Sequence, residues 1–128
     1  MFGRYGLIIV ALQLLLFGCY QKSEEKLSPS VLGAHKCELV EYCDESYIVE
    51  EFGSIGSCVE DQTSYYETEA DRMIDEGGSS CVDLLYQHHQ CEIEFEWEAE
   101  CDFTVEEWSN SCSATKHALY NCLNKPSA

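Results

Sequence analysis

Residues 81–122, CVDLLYQHHQCEIEFEWEAECDFTVEEWSNSCSATKHALYNC, contain the cysteine spacing that decides the fold. Nine residues separate Cys81 from Cys91, and nine separate Cys112 from Cys122. Ten helical steps of about 1.5 Å make just under three turns, so both cysteines of a pair lie on nearly the same helix face. Two such helices packed antiparallel would place Cys81 beside Cys122 and Cys91 beside Cys112. The spacing therefore predicts a helical hairpin closed by two disulfides.

The segment between the two cysteine pairs alternates strictly between glutamate and apolar residues from position 92 to position 100. A period of two is typical of a strand, but glutamates on one strand face would lie only about 7 Å apart. Helix lengths favour the other interpretation. A helix that ends near Glu98 extends seven residues beyond Cys91, and one capped by Thr104 begins eight residues before Cys112. Because the two arms match in length, we predict helix through most of this segment.

The helix after Thr104 has the clearest pattern in the chain. Thr104 and Glu107 form a capping box, in which both side chains satisfy free backbone groups of the first turn. Val105, Trp108 and Leu119 then share a stripe with the two cysteines, up to the proline at position 126. We expect Trp108 and the other aromatic side chains to form the small core.

The preceding part of the chain also carries helix start signals. Ser57 and Glu60 have the form of a capping box before a helical pattern that stops at Gly77, and Ser80 offers a weaker cap. Ser54 is expected to be a helix-cap residue. Shorter helices are predicted over residues 34–43 and 46–52. The predicted fold is all-α, a disulfide-stapled helical bundle with a CX9C/CX9C antiparallel helical hairpin.

The N-terminus has the pattern of an export signal. Arg4 precedes an apolar run of eleven residues, LIIVALQLLLF at 7–17, which is shorter than the roughly 20 residues that span a bilayer. The sequence LFGC at 16–19 resembles the lipobox of bacterial lipoproteins, which implies cleavage before Cys19 and lipidation of that cysteine. We therefore expect a signal peptide over 1–18, a lipid-anchored tether over 19–36 and a disulfide-rich helical domain over 37–128.

The cysteine count agrees with this assignment. The chain has nine cysteines, and an odd number in an exported protein calls for an explanation. If Cys19 carries the lipid, eight cysteines remain for four disulfides. The sequence predicts the two bridges of the hairpin but leaves three pairings open for the other four cysteines, which are Cys37, Cys43, Cys58 and Cys101.

Two resemblances add to this interpretation. The hairpin is similar to the twin CX9C hairpin of small mitochondrial intermembrane-space proteins over about forty residues. The segment between the pairs is longer here and follows a bacterial-type export signal, so we interpret the likeness as a shared physical solution rather than kinship. In overall type the chain resembles the short, cysteine-rich lipoproteins of Gram-negative bacteria. That resemblance implies sorting to the outer membrane, and Tyr20, in place of Asp after the lipidated cysteine, agrees with it.

The net negative charge of the chain limits which molecules it can bind. The chain has 24 Asp and Glu against 7 Lys and Arg, and one of the seven, Arg4, lies in the signal. A surface this acidic repels nucleic acid and anionic membrane surfaces. The expected partners are the membrane, through a lipid on Cys19, and a basic protein.

No pattern in the sequence nominates a catalytic residue, cofactor or metal. Residues 88–91, His-His-Gln-Cys, could ligate zinc in a reducing compartment, but in an exported protein the cysteine is better explained as a bridge partner. The glutamates at 92–100 could hold a cation weakly or dock a basic partner, or could simply form a solvated helix surface. EF-hand and G-x-S-x-G patterns are absent from the sequence.

These observations predict a non-catalytic envelope lipoprotein with a structural or protein-binding role. One alternative is a soluble secreted domain that acts as an inhibitor or effector, in which a rigid disulfide scaffold presents a recognition segment. Another is a weak cation-binding module.

Overall fold

The computed structural model describes residues 25–125, and in this part of the chain every regular element is helical. The all-α prediction is therefore confirmed. The helices, in chain order, are α1 (Pro29–Cys43), α2 (Glu45–Phe52), α3 (Ile55–Asp75), a 3₁₀ turn (Ser79–Cys81), α4 (Val82–Glu98), α5 (Val105–Asn110) and α6 (Ser113–Leu123). None of them is long and apolar enough to cross a bilayer.

Side-chain caps fix where several of these helices begin. The hydroxyl of Thr104 accepts a hydrogen bond from the backbone N–H of Glu107 at 3.1 Å, as the capping box predicts. The helix predicted to start at Ser57 begins one turn earlier, because Ser54 is the residue that accepts the N–H of Ser57, also at 3.1 Å. The predicted cap at Ser80 is wrong, since a 3₁₀ turn without a side-chain cap leads into α4.

Close packing of α1 against α3 forms the main core. At the crossing, Gly33 is buried, and a Cβ built on it would lie 2.5 Å from the hydroxyl of Thr63. Only a residue without a side chain permits this approach. One apolar cluster joins α1, α3 and α4, and consists of Leu32, Leu39, Tyr66 and Ile93. A second cluster surrounds the Cys37–Cys58 disulfide and includes Ile48 of α2.

Four disulfides connect the helices. Cys81 pairs with Cys122 and Cys91 pairs with Cys112, with Cα–Cα distances of 5.9 and 5.8 Å. Both predicted rungs are confirmed, and their order makes α4 and α6 antiparallel. The pairing that the sequence left open consists of Cys37–Cys58 and Cys43–Cys101.

The glutamate-rich segment is helical through Glu98, as predicted. Helical spacing divides its glutamates into two rows. Glu92 and Glu96 are half-buried, whereas Glu94 and Glu98 are exposed on another part of the helix surface. The interpretation as a solvated helix surface therefore applies to Glu94 and Glu98 but not to Glu92 and Glu96.

The helix predicted from Thr104 to the C-terminus is interrupted, so the prediction of one continuous helix is wrong. α5 ends at Asn110, Ser111 is extended, and Cys112 has a left-handed φ of +51°. The hydroxyl of Ser111 donates to the carbonyl of Trp108 at 2.6 Å. Asn and Ser side chains compete with helical backbone hydrogen bonds in this way, and the break lets Cys112 reach Cys91.

The aromatic residues are not all part of the core, contrary to our expectation. Tyr66 is buried, whereas Trp97 and Trp108 are 37% and 38% exposed and Tyr65 is 51% exposed. Neither α5 nor α6 contains a buried residue. The two disulfide rungs therefore hold the C-terminal arm (residues 104–125) to the remainder of the bundle more than apolar burial does.

The N-terminal boundary also differs from the prediction. α1 begins at Pro29, with Ser28 as its cap, and Leu32 is fully buried. Residues 29–36 therefore belong to the packed helix rather than to a tether, because Leu32 packs in the core with Tyr66 of α3. The predicted signal peptide over 1–18 and the predicted lipidation site at Cys19 lie outside the described residues.

Candidate functional site

Two adjacent histidines on α4 provide the densest polar cluster of the described chain. Successive residues on a helix point about 100° apart, so His88 and His89 face different neighbours. His88 Nδ1 lies 2.9 Å from the hydroxyl of Thr115 on α6. His89 Nε2 forms a short hydrogen bond with the carboxylate of Glu69 on α3. Both imidazole side chains are less than one-fifth exposed.

A single carboxylate, Glu92, lies between the two imidazoles. Its Oε1 atom is 3.3 Å from His89 Nδ1 and 3.6 Å from His88 Nε2. Burial lowers the pKa of His89, but Glu92 and Glu69 outweigh this effect and raise the pKa above its usual value. Burial lowers the pKa of His88, and the attraction of Glu92 offsets that shift only in part. The pKa values of the two neighbouring histidines are therefore shifted in opposite directions.

Two tyrosines of α3 complete the surroundings of His89. The hydroxyl of Tyr65 donates to Glu69 Oε1 at 2.8 Å. The ring of Tyr66 packs on the imidazole of His89, with 5.0 Å between their centroids. Burial is the main cause that raises the pKa of both tyrosines, so each stays a neutral hydrogen-bonding group.

A cavity of about 310 Å³ opens beside this cluster. Its lining comes from α1, α3, α4 and α5, and consists of Lys36, Gln62, Tyr65, Tyr66, His89, Glu92, Ile93, Glu96 and Trp108. Across it, the ammonium group of Lys36 donates to Glu96 Oε2 at 3.2 Å. The cavity therefore combines aromatic rings with half-buried carboxylates. We call it the aromatic–carboxylate cavity.

A second concavity lies beside the Cys91–Cys112 disulfide. It has a volume of about 450 Å³ and is more open to solvent. The carboxylates of Glu94, Glu98 and Glu107 line it together with Phe95. These acidic side chains come from the exposed row of α4 and from α5, and no basic side chain is among the lining residues.

The arrangement of the histidines does not form a metal centre. Within residues 25–125, no group of three or more His, Cys, Asp or Glu side chains is placed to hold a metal ion. The imidazoles of His88 and His89 diverge toward α6 and α3, and Cys91 is bonded to Cys112. Their nitrogens are used in hydrogen bonds between helices, so the cluster fastens α4 to its two neighbours.

Sequence reasoning identified some of these residues and missed others. The glutamates of α4 were identified as a region of interest, but Glu69 and Tyr65 on α3 were not. No local pattern marks them, because they meet His89 through tertiary packing. Among the predicted site residues, the eight cysteines from Cys37 to Cys122 all form bridges.

Comparison with protein-family models finds no match, and comparisons with curated proteins and with solved structures find no similar protein. Function therefore has to be inferred from the residues and their geometry.

Proposed function

We propose that this protein is an exported, non-catalytic lipoprotein, anchored through Cys19, whose acidic helical domain binds a basic partner protein at the cell envelope. The observation that carries the proposal is the use of the cysteines. All eight cysteines of the described residues are paired in four disulfides, and Cys19 is the ninth cysteine of the sequence. Four disulfides are typical of an oxidising compartment, and Cys19 follows an apolar export-type segment.

The binding role is supported by charge and rigidity. The mature chain would carry 24 acidic against 6 basic side chains, and such a field attracts and steers a basic protein. Disulfides that connect α1 to α3, α1 to the turn after α4, and α4 to the C-terminal arm hold the acidic helices in fixed positions. A fixed surface loses little conformational entropy on binding.

Metabolic labelling tests the anchor. The full chain is expressed in a Gram-negative host that receives a labelled fatty acid, beside the variant Cys19→Ser. We expect label on the wild-type protein and none on the variant. The matched control Cys43→Ala/Cys101→Ala, which changes two other cysteines, should keep its label. Equal labelling of wild type and Cys19→Ser, or no labelling of either, would overturn the anchored role and favour the secreted alternative.

A further inference from the structure

The aromatic–carboxylate cavity is more enclosed than the concavity beside the Cys91–Cys112 disulfide. Its volume of about 310 Å³ is at the lower end of the range for small-ligand sites, about 300–1,000 Å³. Three of its walls are aromatic: Tyr65 and Tyr66 of α3, and Trp108 of α5. The rings of Tyr65 and Trp108 are partly exposed, so these two aromatic surfaces remain accessible to a binding group.

The polar lining includes two carboxylates that already interact with positively charged or proton-bearing side chains of the same chain. The side chains of Glu92 and Glu96 are 18% and 14% exposed. Glu96 accepts a hydrogen bond from the ammonium group of Lys36, and Glu92 lies 3.3 Å from His89 Nδ1. Half-buried carboxylates need such partners, because loss of water around a charge costs free energy. A cationic group that enters the cavity therefore has to share Glu92 with His89 or Glu96 with Lys36.

We propose that this cavity binds an arginine side chain presented by the basic partner protein, an inference that rests on the protein-binding role proposed above. A guanidinium group is planar and stacks on aromatic faces, and its N–H groups form paired hydrogen bonds with a carboxylate. The cavity offers both kinds of surface within one small volume. A divalent cation is a poorer fit, because the described residues include no group placed to ligate one.

A protonated His89 and the incoming arginine side chain compete for the same carboxylate, that of Glu92. Imidazolium and guanidinium both draw on the same carboxylate, so binding of arginine favours loss of the proton from His89. Affinity should therefore rise as the pH rises through the pKa of His89. The ionisable groups around His89 are Tyr65, Tyr66 and Glu69 from α3, His88, Glu92 and Glu96 from α4, and Lys36 from α1.

The test is a titration of the oxidised mature protein, in detergent micelles where it carries lipid, with N-acetyl-arginine amide. The isosteric but neutral N-acetyl-citrulline amide is the control ligand. Binding is followed by the NMR signals of the Trp108 indole and the His89 ring. A ligand of this size is expected to bind with a dissociation constant of about 1 mM.

Matched variants locate the site. Glu92→Gln should weaken arginine binding about tenfold or more, whereas Glu94→Gln, with the same charge change on the exposed row of α4, should change it less than about twofold. Trp108→Ala should weaken it about threefold or more through loss of stacking. Circular dichroism and the mass before and after reduction establish that each variant is folded and fully bridged.

The pH dependence supplies a readout that a general acidic surface would not give. Between pH 6 and pH 8 the wild-type affinity should rise about threefold to tenfold, and His89→Gln should remove the rise. Equal binding of citrulline, an equal loss in Glu94→Gln, or a pH-independent wild-type affinity would each overturn the site. Failure of the anchor is distinguishable from failure of the site, since fatty-acid labelling and the titration are separate measurements.

Discussion

Removal of the inner rung of the hairpin should let the C-terminal arm open locally, although it stays bonded through Cys122, while the rest of the bundle stays folded. Cys91 and Cys112 are 21 residues apart in sequence. In the chain-entropy model a loop of this length stabilises the folded state by about 3 kcal/mol. The outer rung does not compensate, because with the inner rung gone Cys81–Cys122 closes a loop of 41 residues and leaves the interior of that loop unconstrained.

Beyond the two rungs, the arm contacts the bundle through the hydrogen bond between Thr115 and His88 and through Trp108 at the aromatic–carboxylate cavity. Neither α5 nor α6 contains a buried residue, so apolar burial contributes little to their attachment. The core clusters of α1, α2, α3 and α4 contain no residue of the arm. A loss of about 3 kcal/mol should therefore appear as local opening of residues 104–125 rather than as global unfolding.

Hydrogen exchange of the variant Cys91→Ala/Cys112→Ala measures this directly. Amides of α6 should lose protection by about two orders of magnitude, since each 1.4 kcal/mol corresponds to a factor of ten. Amides of α3 serve as the internal control and should change less than about threefold. A uniform loss of protection over α3 and α6, or none in either, would refute the conclusion that the rungs hold the arm more than apolar burial does.

Two further predictions follow from the packing and charges of the bundle. Gly33→Ala should lower the free energy of unfolding by about 1–3 kcal/mol in urea titrations, because its Cβ would meet Thr63. The control Gly56→Ala, whose Cβ would lie 3.9 Å from the hydroxyl of Ser54, should leave stability equal or raise it, and an equal loss in both variants would contradict the packing argument. The raised pKa of His89 makes its interaction with Glu69 fully stabilising below about pH 6.5 and weaker as pH rises through the folded-state pKa. Glu69→Gln should therefore destabilise the protein more at pH 6 than at pH 8.5, and an equal deficit at both would contradict this assignment.

The hairpin was predictable because its determinants are local and periodic. The CX9C spacing returns two cysteines to nearly one helix face, and this predicts both rungs even though the second arm is broken at Ser111. The comparison of the two arm lengths correctly predicted helix rather than strand through most of the alternating segment. The pairing of Cys43 with Cys101 was beyond sequence reasoning, because it depends on how α1 lies against the end of α4.

Other errors have tertiary causes as well. The start of α1 was placed too late, because the polar residues before Cys37 suggested a tether, whereas Leu32 packs against α3. The helix breaks at Ser111 because side chains there compete for backbone hydrogen bonds. The break also brings Cys112 to the position in which it bonds to Cys91. The contact between His89 and Glu69 could not be predicted, because the two residues are 20 positions apart in sequence and no periodic pattern connects them.

The most direct test of the account is the intact mass of the mature protein purified from membranes, before and after reduction with alkylation. We expect a fragment that begins at Cys19 and is heavier than its amino-acid sequence by about the mass of a diacylglyceryl group. Eight thiols, those of Cys37 to Cys122, should become reactive after reduction and none before it. An unlipidated mass, or thiols that react without reduction, would contradict the anchored, four-bridge protein proposed here.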